Sequence, residues 1–175
     1  LPSLLWLKKN EPSLYKKIFK ISSPKDYLAY KLTANLQTEP TDALATAAFD
    51  YQKNTWSAKI INAFKLKASI FPPVNPTLAP YGQITAKVSK ITRLPQGIPV
   101  YGASDQAMSA MGTGLIKEGQ ASIAISTGGQ FLVTAPKGLI DPKRRLHTLN
   151  HALPKFGLYM AATLSAGFSL RWFKD

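Results

Sequence analysis

The sequence predicts a mixed α/β chain built in two parts, a helical first part and a second part in which strands alternate with helices. Three observations predict it. Helical patterns dominate the first seventy residues, beginning with apolar residues at helical spacing and lysines opposite over 3–20. The proline-dense connector Phe71-Pro72-Pro73-Val74-Asn75-Pro76 ends that texture, because prolines this close together exclude both helix and central strand. Beyond Gly112, Gly114 and Gly119, strand-like runs flank the turn Ser126-Thr127-Gly128-Gly129 as in a hairpin. The glycine-punctuated link sets a boundary near 113–119.

Residues 3–20 read as one amphipathic helix, or two joined near Glu11-Pro12. Leu4, Leu5, Leu7, Leu14, Tyr15, Ile18 and Phe19 share a face, and Ser3 is the expected N-cap. Ser23-Pro24-Lys25-Asp26 opens the next helix, with Pro24 suited to its first turn. Thr38-Glu39-Pro40-Thr41-Asp42 is a loop whose end caps a small-residue helix over 43–49. Another helix is expected over 56–66, capped by Asn54 or Thr55. After the proline connector, 82–85 is a short strand, 92–97 a turn, and Ile98-Pro99-Val100-Tyr101 has the composition of a buried strand. An Ala- and Met-rich helix follows to about Met111. Strands over 120–125 and 130–134 form the hairpin, 136–142 is loop, and 147–151 and 158–161 are two more strands. A last helix is expected over 163–175, led in by Ser165-Ala166-Gly167.

With 175 residues, 45% of them hydrophobic and 18% charged, the chain can bury a sizeable core and is no disordered tail. It has no cysteine, which removes disulfides and thiolate chemistry and fits a reducing compartment, so a cytoplasmic location is expected. Two histidines, His147 and His151, are too few for a His-based zinc site without carboxylate help, and they are read as structural or rim residues sharing one strand face. No apolar run approaches a membrane span, and the first residues lack the basic start and long apolar core of a signal peptide. The net charge of +13 invites a nucleic-acid reading. Only Lys143-Arg144-Arg145 is a dense cluster, however, and the other lysines are scattered as on a solvated surface. The chain starts without Met and ends inside a helical pattern, so a fragment of a longer protein is expected.

The chemistry concentrates in Gly102-Ala103-Ser104-Asp105-Gln106. A carboxylate where a strand ends and a helix begins stands where open α/β sheets put their ligands. Asp105 can take a proton from a sugar hydroxyl as that oxygen attacks a γ-phosphorus, or it can cap the helix. Gln106 can bond a polyol or lie exposed on the helix. Ser126-Thr127-Gly128-Gly129 can offer a hydroxyl and backbone N–H groups to phosphate oxygens, or be an ordinary hairpin turn. It is not a Walker A loop, since no Gly-Lys-Ser/Thr follows. Gly167 either lets a nucleotide lie against the backbone or serves close packing. Trp172 reads as core, and Thr41-Asp42 as a cap.

In order, these segments resemble the FGGY family of carbohydrate kinases, most closely its xylulokinase branch. Trp6-Leu7-Lys8-Lys9-Asn10-Glu11-Pro12, Pro24-Lys25-Asp26-Tyr27-Leu28-Ala29-Tyr30-Lys31-Leu32-Thr33, Thr41-Asp42-Ala43 and Phe49-Asp50 are similar to its mid-chain pattern. Gly97-Ile98-Pro99-Val100 leading to Asp105-Gln106 resembles its catalytic segment, and Ser126-Thr127-Gly128-Gly129-Gln130 its second phosphate-binding turn. Leu146-His147-Thr148, His151-Ala152 and the run from Ser165 to Trp172 continue the match, which covers essentially the whole chain. No single motif is specific; the ordered series is.

The resemblance implies an α/β actin-like ATPase (ribonuclease H-like) fold, with residues 1–115 the C-terminal part of domain I and 116–175 the N-terminal part of domain II. It implies ATP-dependent phosphorylation of D-xylulose to D-xylulose 5-phosphate, with Mg2+ accompanying ATP and no metal ligands of the chain's own. Asp105 would be the catalytic base and bind sugar together with Gln106. Thr127, Gly128, Gly167 and Arg171 would lie at the nucleotide. The partners implied are the sugar and ATP, without nucleic acid or membrane, and a homodimer is compatible with the intact enzyme. Two departures stand out: Ser126 and Arg93 each occupy a position where the family usually has Gly. The family's N-terminal Asp-x-Gly-Thr hairpin and C-terminal adenosine segment lie outside this chain, so the fragment alone is expected to be inactive. Alternatives are a kinase for gluconate, glycerol, ribulose or another polyol, and a non-catalytic basic module that binds nucleic acid.

Overall fold

In the computed structural model, which describes residues 1–174, the chain divides into two compact units, one from Leu1 to Ser104 and one from Asp105 onward. In the first, α1 (Pro2–Asn10) and α2 (Pro12–Lys17) are separate helices broken at Glu11. Pro12 has no N–H for a continuous ladder, so it begins a new helix instead. Because α1 starts at Pro2, Leu1 and not Ser3 occupies the N-cap position. Helix α3 (Pro24–Thr33) opens as expected, the Ser23 side chain accepting from the Asp26 N–H.

Helix α4 (Pro40–Ala45) starts and stops earlier than expected. Its N-cap is Glu39, whose carboxylate accepts from the Thr41 and Asp42 N–H groups, so the cap assigned to Thr41-Asp42 moves back two residues. The expected helical end becomes β1 (Phe49–Asp50), paired antiparallel with β2 (Thr55–Trp56). Asp50 favours this turn by accepting from the Gln52 and Lys53 N–H groups. The hairpin takes up Thr55 and Trp56, so α5 (Ala58–Ala63) is capped by Ser57 instead of Asn54 or Thr55. Trp56 stacks against Phe49 and Phe71 and donates its indole N–H to the Pro72 carbonyl at 2.7 Å. Tyr15, Ala48, Ile61, Leu66, Ile70 and Phe71 form the core of this unit.

Strands β3 (Gly82–Gln83) and β4 (Pro99–Val100) pair antiparallel. Between them stands α6 (Ala86–Thr92), capped by Thr85, which the sequence reading did not anticipate. Its seven residues offer only Val88 and Ile91 as large apolar positions, too short a stripe to mark it. Arg93 closes α6 with φ 63°, in the left-handed region. That conformation costs a non-glycine residue roughly 1–2 kcal/mol, which a glycine would avoid.

The second unit comprises α7 (Asp105–Gly112), β5 (Ala121–Ile125), β6 (Gly129–Pro136), β7 (His147–Asn150), β8 (Phe156–Thr163) and α8 (Gly167–Lys174). The strands form one antiparallel sheet in the order β5-β6-β8-β7. The expected hairpin is present, with Ile125 opposite Gly129, and β6 continues along β8 from Gly129↔Thr163 to Pro136↔Phe156. Leu115, Leu132 and Leu158 pack with Ala110 of α7, whose small side chain lets the helix approach the sheet. Helix α8 starts four residues later than expected because Thr163 is still paired in β8; Asp175 lies outside the described residues.

His147 and His151 part company: β7 ends at Asn150, His147 is exposed and His151 is buried. The His151 Nδ1 accepts from the Leu153 N–H and its Nε2 donates to the Leu115 carbonyl, both at 2.8 Å. That pairing assigns the neutral tautomer. Burial pushes the imidazole below its ordinary value, against the opposing pull of the Leu115 carbonyl. Above the ordinary value of 6.5 both folded and unfolded chains hold a neutral ring. Below it the unfolded chain takes the proton first, so stability should fall as pH drops until the folded ring titrates too. Thermal melts between about pH 7.5 and 5 should show this loss, and His151→Gln should flatten the slope.

Candidate active site

Asp105 opens α7, five residues after β4 ends, and is exposed; Gln106 beside it is half-buried. The Asp105 carboxylate accepts from the Gln106 N–H at 2.7 Å. One oxygen engages an open N–H of the first helical turn, where negative charge is favoured. The residue is otherwise exposed to solvent.

The turn Ser126-Thr127-Gly128 joins β5 to β6 and is docked on the start of α8. The Gly167 N–H donates to the Ser126 carbonyl and the Ala166 N–H to the Thr127 carbonyl, both at 2.9 Å, and the Phe168 N–H reaches the Thr127 carbonyl at 3.3 Å. A Cβ on Gly128 would lie 2.6 Å from the Thr163 carbonyl oxygen, and one on Gly167 would lie 2.5 Å from the Ser126 carbonyl oxygen. Backbone meets backbone at both glycines, so a methyl on either would force the turn and helix apart. The close-packing role read for Gly167 is therefore present in the fold. The structure brings Thr127, Gly128 and Gly167 together, with the Thr127 side chain exposed. Arg171 lies one turn further along α8, also exposed. Ser126 tightens the turn: its N–H and its hydroxyl both donate to the Gly128 carbonyl, at 2.8 and 3.3 Å. Trp172, read as core, is 73% exposed. Helix α8 buries no residue, so its aromatic stripe has no core to join within this unit.

Sequence reasoning missed a buried ionic cluster in the first unit. The Lys25 ammonium lies 2.8 Å from Asp26, 3.2 Å from Glu39 and 3.3 Å from Asp42. It also bonds the Tyr81 hydroxyl, which donates to Asp26 at 2.7 Å. Asp26 and Glu39 are each 1% exposed. Burial alone would lower the lysine. The hydrogen bonds to Asp26 and Tyr81, with the charges of Glu39 and Asp26, outweigh burial and hold it above its ordinary value. Burial raises the Tyr81 hydroxyl, with the Lys25 bond opposing. Glu39 further accepts from the Thr41 hydroxyl at 2.6 Å and the Thr77 hydroxyl at 2.9 Å. The Thr41 oxygen accepts from the Ser104 N–H at 2.7 Å. The acid-base pair Lys25-Asp26 in a helical first turn, followed by Glu39-Pro40, was the only trace of this cluster in the sequence.

Among the described residues no group of three or more His, Cys, Asp or Glu side chains is placed to hold a metal. In the basic cluster, Arg145 is tied to Asp141 at 3.0 Å. The guanidinium and the Arg145 N–H hold the Asp141 carboxyl down at about 2. Among the described residues no helix is long and apolar enough to cross a membrane.

Residues 1–112 match the profile described as the FGGY family of carbohydrate kinases, N-terminal domain. Two curated relatives are similar over the whole chain: a xylulose kinase of Staphylococcus xylosus, 37% identical, and a xylulose kinase of Lactococcus lactis, 38% identical. The chain spans 36% and 35% of their lengths. The crystal structure of xylulose kinase from Rhodospirillum rubrum superposes with a TM-score of 0.90 at 27% identity, covering 97% of this chain and 35% of that one.

Proposed function

This chain belongs to the FGGY family of carbohydrate kinases, and from that premise we propose that it forms part of an ATP-dependent kinase converting D-xylulose to D-xylulose 5-phosphate. The α/β fold is accordingly the actin-like ATPase (ribonuclease H-like) fold. The observation that carries the substrate assignment is the similarity to xylulose kinases along the entire chain. On this reading residues 1–115 are the later part of domain I and 116–175 the beginning of domain II. The chain by itself, holding only part of each, is inactive.

Phosphoryl transfer depends on positioning and charge neutralisation more than on covalent chemistry. Asp105 takes the proton of the terminal sugar hydroxyl as its oxygen bonds to the γ-phosphorus, the bond from that phosphorus to the β-phosphate oxygen breaks and ADP leaves, and Gln106 orients the sugar. Thr127 and Gly128 contact the nucleotide phosphates from the turn docked on α8. Gly167 and Arg171 line the nucleotide on α8, the guanidinium supplying positive charge. Mg2+, bound with ATP, adds further neutralisation of the phosphate charge. The support in the structure is an exposed carboxylate at a helix start, and a glycine turn locked to a second helix start by backbone contacts.

A panel of D-xylulose, D-ribulose, gluconate and glycerol assayed with ATP and the full-length protein tests the proposal. D-xylulose should give the highest kcat/KM, by at least about tenfold. Preference for another polyol would replace the substrate while keeping the class. ATP turnover that no sugar stimulates would remove the kinase assignment.

A further inference from the structure

We infer that Thr41 is a positioning residue for Asp105, acting through the backbone of Ser104. The inference rests on the proposed role of Asp105 as the base. Thr41 is 4% exposed and its hydroxyl serves two partners, donating to Glu39 at 2.6 Å and accepting from the Ser104 N–H at 2.7 Å. A carboxylate only accepts, so Glu39 dictates where the single hydroxyl proton points. The lone pairs are thereby left to the Ser104 N–H, which lies 63 residues away in sequence.

Glu39 is a fixed anchor for this arrangement. It accepts from the Thr41 and Asp42 N–H groups at 2.9 and 3.1 Å, from the Thr77 hydroxyl, and from the Lys25 ammonium. Ser104 lies between β4 and α7, where a loop N–H must find its partner outside regular structure. Asp105 is the next residue in the chain. The Glu39–Thr41–Ser104 chain of bonds thus fixes the Ala103–Ser104 peptide, the one immediately before the peptide that leads into Asp105. Glu39 caps α4, so the Thr41 oxygen is not needed as a cap and is available for Ser104.

The test uses the full-length kinase. Thr41→Val keeps the shape and removes the hydroxyl, and should lower kcat roughly 10- to 100-fold, because small misplacements of a reacting group cost that much. KM for ATP should stay within about twofold, as expected when only transition-state positioning is lost. Thr41→Ser restores the hydroxyl and should recover kcat to within about threefold of wild type. In an Asp105→Asn background Thr41→Val should cause no further loss, since a residue acting only through the base has nothing left to position. Wild-type kcat in Thr41→Val, or an equal loss in both backgrounds, overturns the inference. Should Thr41→Val fail to fold, Glu39→Gln is read the same way: the same non-additive loss supports the inference and undiminished kcat overturns it. Full activity of Asp105→Asn alone would instead strike the base assignment, and this inference with it.

Discussion

Asp105→Asn in the full-length enzyme is expected to reduce kcat for sugar phosphorylation about 10²- to 10⁴-fold, the range a positioned general base contributes. Asparagine keeps the shape of the side chain and an oxygen for the Gln106 N–H, which Asp105 now binds at 2.7 Å. The start of α7 should therefore survive, and the loss should be chemical. The amide cannot accept the hydroxyl proton as the phosphorus is attacked. ATP affinity, read by calorimetry, should change less than about twofold, because the residues assigned to the nucleotide lie at the 126–128 turn and on α8. An enzyme that kept more than about a tenth of its kcat would show that another group, or water, takes the proton.

Lys25→Met should be the most damaging single change in the first unit, costing about 3–5 kcal/mol of stability. Methionine fills the space of the lysine stem but leaves Asp26 and Glu39, both buried, without the cation that faces them at 2.8 and 3.2 Å. Three carboxylates around one ammonium already carry an excess of negative charge, so the lysine is the group whose loss the cluster tolerates least. Urea unfolding at neutral pH should register the change. Adding Asp26→Asn should return part of it by removing one stranded charge, a non-additivity that a pure packing defect would not produce. The contribution of the Lys25 charge is fully present below the ordinary lysine value of 10.5 and is lost only as pH rises through the higher folded value. The penalty should therefore be flat between about pH 6 and 9. A cost under about 1 kcal/mol would mean that water already screens these carboxylates.

Much of the fold was legible because local chemistry repeats along the chain. The break at Glu11-Pro12, the Ser23-Pro24 helix start and the hairpin on Ser126–Gly129 each follow from a residue whose backbone preference leaves few choices. The cap errors have different causes: Ser3 lost to Leu1 because the helix starts at Pro2, Asn54 or Thr55 lost to Ser57 because the hairpin takes up Thr55, and Thr41-Asp42 lost to Glu39, which is also held by Lys25 and Thr77. Helix α6 escaped notice because its seven residues carry only Val88 and Ile91 as large apolar positions, too short a pattern for periodicity to detect.

The candidate site was legible in a different way. Asp105, Gln106, Thr127, Gly128, Gly167 and Arg171 were individually ambiguous, and only their order along the chain gave them a common meaning. The sequence by itself determined the family, the α/β class and the two segments that carry the proposed chemistry, because these depend on residue type and order. Tertiary structure alone decided that Gly128 and Gly167 meet carbonyl oxygens of other segments. It alone gathered Lys25, Asp26, Glu39, Asp42 and Tyr81 into one buried cluster, and it alone joined the Thr41 hydroxyl to the residue before Asp105. Those contacts link residues up to 63 positions apart, and a hydrogen bond depends on distances of a few tenths of an ångström that no local pattern encodes.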